Sequence, residues 1–310
     1  MNKKVQILLA TYNGEIYLPE QIESLLGQDY GNFEILIRDD GSQDRTQVIL
    51  NDYAERYPEI ITIIPSTFST GSAKSNFREL MHECDADYIF WADHDDIWDT
   101  KKLRAMLSEM ERLEDGDTSN PVFVFSDAQV IDADGNTIFE SYFAMKKVDP
   151  AVGYRLSNSL ICTSSLGCAS SINRAMLEYC KDVPEGVTGH DWYAHILALV
   201  FGRVSVLREP LIKYRVHGSN SSNPSEVSIA NYANRGGKAA FVRRGVRLRI
   251  QQAECIATQY GEQMSADNLK VFQTFLSIRH SGFLSKRYIL VRNRFLYSDF
   301  LRNVATFLFV

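Results

Sequence analysis

Short runs of consecutive apolar residues alternate with segments of helical periodicity in the N-terminal part of the chain. The runs predict buried strands at residues 5–10, 33–37, 60–64 and 88–91. Between and after them, apolar residues recur at helical spacing, which predicts helices near residues 16–26, 46–57, 76–84 and 99–110. Strands that alternate with helices indicate an α/β fold, with a mainly parallel sheet covered by helices on both faces.

The rest of the chain is less regular. It contains a predicted strand at residues 121–127, a hairpin-type turn at 132–136, a helix that opens at 188–192, and final strands at 204–207 and 211–215. Composition then changes, because residues 220–224 are linker-like and the segments 235–250 and 286–310 are basic. We expect one α/β domain at residues 1–225 and a basic, mostly helical region at residues 226–310.

Three polar turns follow predicted strands, at residues 11–14, 39–42 and 93–96. In open α/β sheets, ligands bind at the carboxyl ends of the strands, so these turns are expected to form one site. Neither a Gly-x-Gly-x-x-Gly motif nor a Walker-type loop is present in the sequence. A nucleotide would therefore be held by side chains and a metal ion rather than by a glycine-rich loop.

The turn at residues 93–96 places three carboxylates and an imidazole in four consecutive positions. Like charges at the end of a buried strand repel one another, and a divalent cation would compensate them. Asp93 and Asp95 form an Asp-x-Asp pair, whose hard oxygen ligands suit Mg²⁺ or Mn²⁺. The alternative is an acidic loop in which Asp99 or Thr100 caps the next helix.

Composition narrows the class of protein. The 310-residue chain has a net charge of −6, which argues against a general nucleic-acid binder. Its five cysteines show no Cys-x-x-Cys spacing and are expected to be reduced thiols in the cytoplasm. The N-terminal apolar run is too short for a signal peptide, and no later run has the length of a membrane span.

Taken together, the motifs resemble those of a known family. Ala10-Thr11-Tyr12-Asn13-Gly14, Arg38-Asp39-Asp40-Gly41-Ser42 and Asp93-His94-Asp95-Asp96 occur in the order and spacing of the family 2 glycosyltransferases. The resemblance covers residues 1–220 and implies a GT-A fold, a nucleotide-sugar donor, a divalent metal ion and inversion at the anomeric carbon. Residues 189–192 and 214–220 look like the bacterial rhamnosyltransferase branch, which builds cell-wall or O-antigen polysaccharides from dTDP-L-rhamnose.

The resemblance implies roles for individual side chains. Asp95 would bind Mn²⁺ or Mg²⁺ directly, and Asp93 would lie nearer the ribose and the metal's water ligands. His217 would be a further metal ligand or, alternatively, would hydrogen-bond within its turn. Asp40 would accept the imide N–H of uracil or thymine, unless it only caps the following helix. The other candidates for the nucleotide-sugar site are Thr11, Tyr12, Asn13, Lys74, Asn76, His94 and Trp192.

Several of these candidates have structural alternatives. Tyr12 could simply pack in its turn, Lys74 could be a solvated surface cation, Asn76 could cap a helix, and Trp192 could belong to the core. Asp191 is the expected catalytic base, since an inverting transfer needs a group that takes the acceptor's proton. The alternatives are that Asp191 is the N-cap of its helix, or that His190 is the base.

The expected donor is a dTDP- or UDP-sugar, and the expected acceptor is a lipid-linked glycan at the cytoplasmic face of the membrane. The basic C-terminal region is expected to dock on anionic membrane, or instead to pack on the acidic body or on a second subunit of a homo-oligomer. The rivals to a rhamnosyltransferase are a family 2 enzyme that uses another sugar and a non-catalytic GT-A domain that binds nucleotide or glycan.

Overall fold

A computed structural model describes residues 3–218 and 238–310. In these residues, nine strands form one sheet with the order β3-β2-β1-β4-β8-β6-β9-β5, and β7 pairs with β6. The strands are β1 (Val5–Thr11), β2 (Phe33–Asp39), β3 (Ile61–Ile63), β4 (Tyr88–Asp93), β5 (Ile97–Trp98), β6 (Val122–Ile131), β7 (Thr137–Phe139), β8 (Ser170–Asn173) and β9 (Arg203–Arg215).

Helices cover both faces of this sheet. They are α1 (Leu18–Leu26), α2 (Thr46–Arg56), α3 (Ala73–His82), α4 (Lys102–Glu114), α5 (Tyr142–Lys146), α6 (Leu156–Ser159), α7 (Arg174–Cys180), α8 (His190–Phe201), α9 (Lys238–Tyr260), α10 (Ala266–Ser277), α11 (Phe283–Arg292) and α12 (Phe300–Phe309). Two hydrophobic clusters lie between sheet and helices, one on each face.

The N-terminal half of the sheet is parallel, as its apolar runs predict. Strands β3, β2, β1 and β4 pair in parallel, and every residue of β1 is buried. Residues that alternate along β1 enter opposite clusters: Leu8 packs in one and Ile7 in the other. A strand buried on both faces needs consecutive apolar residues, so the apolar run of β1 identifies it as a central strand.

The second half of the sheet is mixed and departs from the sequence-based expectation. Strand β8, at residues where no strand is predicted, runs antiparallel between β4 and β6. The two strands predicted at residues 204–207 and 211–215 are one strand, β9, whose register with β6 shifts near Asp127 and Pro210. Pro210 has no backbone N–H to donate to the neighbouring strand. The gap between the two predicted strands is therefore an irregularity within β9.

Helix starts also differ in detail from those predicted. Helix α2 starts at Thr46 as predicted, but its N-cap residue, Arg45, provides no side-chain cap; Asp44 accepts a hydrogen bond from the Thr46 N–H. Helix α3 begins three residues before the predicted start and is capped by Ser72. Helix α4 starts at Lys102, because the short strand β5 intervenes after the acidic turn.

The C-terminal helices share a hydrophobic core with the sheet-bearing part of the chain. Ile250, Ile256, Phe272 and Phe275 are buried in the same cluster as Leu177, Tyr193 and other residues of α7 and α8. The predicted boundary at residue 225 and the linker at residues 220–224 lie outside the described residues. Within residues 3–218 and 238–310, no helix has the length and apolar character needed to cross a membrane.

Candidate active site

The ends of β1, β2 and β4 bring the three polar turns together. Thr11 is paired with Asp39 across β1 and β2, and Ala10 is paired with Asp93 across β1 and β4. Because these parallel strands end at the same edge, the side chains that follow them share one cleft. This convergence is the arrangement that the alternation of strands and helices predicts.

Asp39 connects the first two turns. Its carboxylate accepts hydrogen bonds from the Thr11 hydroxyl at 2.9 Å, the Ser42 N–H at 2.9 Å and the Gln47 amide at 3.0 Å. The Ser42 hydroxyl also accepts from the Asn13 N–H at 2.8 Å. Thr11 and Asn13, both predicted to contact nucleotide, therefore also hold the backbone of the turns in place.

Asp40 is held from the opposite side. Arg38 and the Thr70 N–H donate to one carboxylate oxygen at 2.9 and 2.7 Å, while the Gly71 N–H and the Ser69 hydroxyl donate to the other at 2.9 and 3.2 Å. Burial alone would raise the pKa of Asp40, but the hydrogen bonds from Thr70, Arg38 and Gly71 outweigh it and lower that pKa. Asp40 is therefore an ionised acceptor in a fixed position.

Two predicted nucleotide-site residues on α3 are engaged by the protein itself. Asn76 lies inside the helix rather than at its cap, and its side-chain oxygen accepts from Arg38 at 2.8 Å. The ammonium of Lys74 donates to the backbone carbonyls of Glu185 and Val187 at 2.9 and 3.3 Å. Lys74 therefore ties α3 to the loop that leads into α8. Tyr12 is half exposed at the end of β1.

In the acidic turn, neighbouring carboxylates point in different directions. Asp95 faces His217, with its Oδ2 2.8 Å from Nε2, and both side chains are about one-tenth exposed. Asp96 is fully buried and accepts the Arg215 N–H at 3.0 Å. Arg215 in turn donates to the Asp95 carbonyl at 2.9 Å, so it fixes the backbone between the two aspartates.

His94 covers the first turn. A Cβ on Gly14 would lie 2.5 Å from Cδ2 of His94, so only glycine leaves room for the imidazole there. The ring therefore closes one side of the cleft between the ends of β1 and β4. The sequence made His94 a candidate for this site but did not show what it contacts. The structure places its ring against Gly14.

A lysine lies behind the acidic turn, inside the protein. Lys102 is fully buried; its ammonium donates to the Cys168 carbonyl and lies 3.4 Å from the centroid of the Trp98 ring. Burial lowers the pKa of Lys102 to about 7, against the opposing charges of Asp96 and Asp93. Trp98 is thus a core residue in contact with this lysine.

Asp93 also has an altered affinity for protons. Burial, together with the charges of Asp95 and Asp191, raises the pKa of Asp93 to about 7. Asp191 is far from the acidic turn in sequence, but a Cβ on Gly167 would lie 3.5 Å from the Asp191 Cβ. The ligand atom of the next residue, Cys168, lies within 4.8 Å of those of Asp93 and Asp96. The site therefore combines carboxylates from β4 and from α8.

The donor set fits a hard divalent cation. Among the described residues, ligand atoms of Asp93, Asp96 and Cys168 lie within 4.8 Å of one another. Burial and the neighbouring Asp96 and Asp93 raise the pKa of the Cys168 thiol, and a neutral thiol is a poor ligand for Mg²⁺ or Mn²⁺. Asp93, Asp95 and His217, the ligands expected from the sequence, carry groups of the types that such ions bind, but they do not form a three-ligand cluster of this kind among the described residues. Asp95 and His217 lie against each other instead, with Oδ2 2.8 Å from Nε2.

Asp191 lies in the first turn of α8. Gly189, not Asp191, is the N-cap residue of this helix. Burial raises the pKa of Asp191 to about 6, although hydrogen bonds from the backbone N–H groups of Trp192 and Asp191 itself oppose the shift. A Cβ on Gly189 would lie 2.6 Å from the Asp191 carboxylate oxygen, so glycine at the N-cap makes room for this carboxylate.

The neighbours of Asp191 are less suited to chemistry. His190 is buried between the rings of Phe77 and Trp91, and burial lowers its pKa to about 3. Trp192 is also buried, and its indole donates to the Ser159 carbonyl at 2.6 Å. The structure thus places both rings in the core rather than at the surface of the cleft.

The family follows from comparison with known proteins. Residues 6–158, which include all of the turns from β1 to β4, match the family model described as "Glycosyl transferase family 2". Residues 6–158 therefore form a glycosyl transferase family 2 domain. The matched segment contains Asp39, Asp40 and the acidic turn, whereas Asp191 and His217 lie beyond it.

Relatives and solved structures agree with this assignment. The chain is 27% identical to the dTDP-rhamnosyl transferase RfbG of Shigella flexneri, over 74% of this chain and 78% of that protein. It is 25% identical to the UDP-Glc:alpha-D-GlcNAc-diphosphoundecaprenol beta-1,3-glucosyltransferase WfgD of Escherichia coli, over 71% and 79%. TarS 1–349 of S. aureus in complex with UDP-GlcNAc has a TM-score of 0.56 and 14% identity, and the match covers 98% of this chain and 89% of that one. The fold is therefore the GT-A fold.

Some residues of this glycosyltransferase site were missed from the sequence. Arg38 and Arg215 are fully buried cations that hold Asp40 and the acidic turn, and both stand inside motifs that were recognised. Because each arginine stands in a motif that contains carboxylates or contacts them, an interaction with a carboxylate could have been predicted for both. Lys102 is different, because it resembles an ordinary polar residue at the start of a helix and only the fold places it behind Asp93.

Proposed function

We propose that this family 2 glycosyltransferase transfers L-rhamnose from dTDP-L-rhamnose to a growing, lipid-linked bacterial surface polysaccharide, with inversion at the anomeric carbon. The observation that carries the proposal is Asp191, a carboxyl group with a raised pKa that lies beside the acidic turn. The match to the rhamnosyl transferase RfbG supports the choice of sugar, and the match to WfgD, which acts on a diphosphoundecaprenol-linked sugar, supports a lipid-linked acceptor.

Asp95, Asp93 and His217 would hold Mn²⁺ or Mg²⁺, with Asp95 as the direct carboxylate ligand. Such an ion neutralises the negative charge that develops on the nucleoside diphosphate when the glycosidic bond breaks. Arg215 contributes by fixing the backbone of Asp95, and Asp96 anchors this backbone through the Arg215 N–H. The residues of the turn are thus oriented before donor binds.

Asp40 would select a thymine or uracil base by accepting its imide N–H. A carboxylate offers about four acceptor positions, and protein donors already fill those of Asp40. The longest of these hydrogen bonds, at 3.2 Å, comes from the Ser69 hydroxyl, which can rotate away. The base would therefore replace Ser69, while Thr11, Tyr12, Asn13 and His94 line the nucleoside side of the cleft and Lys74 and Asn76 support the turn from α3.

Asp191 would act as the general base. It takes the proton of the acceptor hydroxyl while the acceptor oxygen forms a bond to the anomeric carbon. The bond from that carbon to the diphosphate breaks at the same time, and its electron pair leaves with the diphosphate. Burial, which raises the pKa of Asp191 to about 6, strengthens it as a base relative to an ordinary aspartate while leaving it ionised at neutral pH.

A second candidate is a transferase that uses a UDP-hexose or UDP-N-acetylhexosamine. The sequence match to WfgD, a UDP-Glc enzyme, favours this candidate. A non-catalytic nucleotide- or glycan-binding domain is a third candidate. Such a domain would not need a carboxyl group with a raised pKa at the position of Asp191.

Donor hydrolysis with Mn²⁺, measured for dTDP-L-rhamnose and a panel of UDP-sugars with and without a lipid-linked acceptor, distinguishes these candidates. We expect slow release of dTDP from dTDP-L-rhamnose that accelerates when acceptor is added. Turnover of a UDP-sugar alone would establish the second candidate. Binding of donors without any turnover, in protein whose melting temperature responds to nucleotide, would establish the third.

A further inference from the structure

We propose that helices α11 and α12 form a docking surface for an anionic lipid bilayer. On α11, Leu284, Tyr288 and Val291 follow one another at i, i+4 and i+7 and therefore share a face. All three are exposed, and Leu284 reaches 78% exposure. The opposite side of the helix is anchored by the buried Leu290, and no residue within 3–218 or 238–310 covers the exposed apolar face.

Helix α12 repeats this arrangement. Phe300, Leu301 and Leu308 are exposed on one side, with Phe300 at 76%, whereas Thr306 is buried on the other. Phe307 and Val310 complete the contact with the core. The two helices meet where Arg287 of α11 donates to the carbonyl of Val310 at 3.2 Å. A helix with one side anchored and an apolar side exposed has the character of an interfacial helix.

The charge of this segment complements anionic lipid. Residues 281–310 include a single acidic residue, Asp299, which accepts the Arg302 N–H as the N-cap of α12. The basic residues of the same segment are Lys286, Arg287, Arg292, Arg294 and Arg302. On α11, helical spacing places Arg292 beside the apolar face, whereas Arg287 donates to the Val310 carbonyl and joins α11 to α12. Cations around an apolar face favour a surface that is both apolar and negatively charged.

The earlier basic segment is less suited to this role. Arg243 donates to the Phe309 carbonyl at 2.8 Å, and Arg249 donates to the Ile161 carbonyl and stacks over Trp192. These two arginines of α9 therefore join helices within the protein. The part of the 235–250 segment that lies before Lys238 is outside the described residues. This places the centre of the lipid contact on α11 and α12.

The docking surface adjoins the acceptor side of the cleft. The side-chain amide of Asn158 on α6 donates to the carbonyl of Leu296, in the segment between α11 and α12, at 2.8 Å. The next residue, Ser159, accepts at its carbonyl from the indole of Trp192, the neighbour of Asp191 in the sequence. Helix α6 therefore connects this surface to the start of α8. Bilayer contact through α12 would hold Asp191 close to the lipid surface, where a lipid-linked acceptor of the proposed function would be found.

Co-sedimentation of the full chain with vesicles tests the surface. We expect binding to phosphatidylcholine vesicles that contain phosphatidylglycerol, weak binding to phosphatidylcholine alone, and loss of binding as salt is raised. The double variants Leu284→Ser/Val291→Ser and Leu301→Ser/Leu308→Ser should each reduce the bound fraction by about tenfold. The matched control Val48→Ser/Ile138→Ser removes exposed apolar side chains elsewhere and should bind like wild type.

A tryptophan placed in the surface reports on its depth. The native Trp91, Trp98 and Trp192 are buried, so they provide a constant background. In Leu301→Trp, we expect a blue-shifted emission and quenching by brominated lipid when anionic vesicles are added. Bound protein in which the emission of the introduced indole is unchanged would overturn the proposal, as would binding that ignores lipid charge, salt and the double variants.

A second copy of this chain is the remaining occupant of the surface. Concentration-dependent dimerisation in light scattering that is lost in the double variants, without vesicle binding by wild type, would overturn the lipid proposal. Donor hydrolysis in the absence of acceptor is measured in parallel, because it does not require the surface. If wild type hydrolyses donor but does not bind vesicles, the lipid proposal fails and the proposed transferase activity is retained.

Discussion

At the residue scale, the site depends on carboxylates whose surroundings differ. Asp40 is held ionised by four donors, Asp95 faces an imidazole, and Asp191 is buried so that its pKa rises. Residue type and spacing made Asp40 and Asp95 candidates, because the turns that carry them follow apolar strands, and Asp191 became a candidate in the segment that opens a helix. They could not indicate how each carboxylate is surrounded, since Thr70 and Arg215 reach Asp40 and the acidic turn from other parts of the fold.

Asp191→Asn should reduce turnover by about 10²-fold or more, because the amide cannot take the acceptor's proton. Nucleotide-sugar binding and melting temperature should stay near those of wild type, since the amide has the shape of the carboxyl group. The pH profile of the wild type should fall as pH drops through about 6, where Asp191 becomes protonated. Near-normal turnover in well-folded Asp191→Asn would assign the base to another group.

Asp95→Ala should abolish turnover and leave the fold intact, and Asp95→Asn should retain little activity because an amide is a weaker ligand for a hard cation. A readout independent of activity is the melting temperature, which Mn²⁺ should raise in wild type but not in Asp95→Asn. EDTA-treated enzyme that keeps full activity would contradict the metal role. So would an equal response to Mn²⁺ in both proteins.

At the element scale, apolar runs identified the parallel strands well and the later strands poorly. Strand β1 is buried on both faces and is therefore recognisable as an uninterrupted run. Strand β8 is Ser170-Ser171-Ile172-Asn173, and nothing in its composition distinguishes it from a loop. Strand β8 is buried because β4 and β6 pair with it on either side. This pairing is long-range, and the residues of β8 do not predict it.

Lys102, the first residue of α4, is a structural counter-charge to the acidic turn. Lys102→Met should lower the free energy of unfolding by about 1–2 kcal/mol at neutral pH, where Lys102 and Asp93 are each about half ionised. The change removes the donor to the buried Cys168 carbonyl and part of the charge that offsets Asp93. The matched control Lys101→Met changes the exposed neighbour and should stay within about 0.5 kcal/mol of wild type. Urea unfolding of the three proteins provides the comparison.

The pH dependence of this deficit has a defined sign. The pKa of Asp93 is raised to about 7, so lowering the pH protonates it and removes the charge that Lys102 compensates. The stability difference between Lys102→Met and wild type should therefore shrink as the pH falls below about 7. A deficit that is independent of pH would indicate lost packing against Trp98 instead.

At the scale of the whole molecule, the C-terminal helices share a hydrophobic core with the sheet-bearing part of the chain. Phe272 and Phe275 are fully buried in the cluster that includes Leu177 and Tyr193. The sequence indicated a basic helical region with its own composition, but composition shows neither which face of a helix is buried nor against what. A chain that ends before Lys238 would expose this apolar surface to water.

We expect a truncated chain of residues 1–237 to be aggregation-prone and to lack a cooperative thermal transition, because its helices α7 and α8 lose their cover. The full chain should unfold in one transition, measured by calorimetry and circular dichroism. A truncated protein that melts cooperatively near the wild-type temperature would show that the two parts fold independently and would support the boundary at residue 225.

The order of strands in the sheet has a consequence for synthesis. Strand β4, which carries Asp93, pairs with β8 from far along the chain, and β5 pairs with the distal part of β9. A nascent chain that has only just emerged as far as the acidic turn therefore lacks both strands that complete its surroundings. Such long-range pairings form slowly, so the surroundings of the acidic turn are completed only after synthesis has passed Arg215.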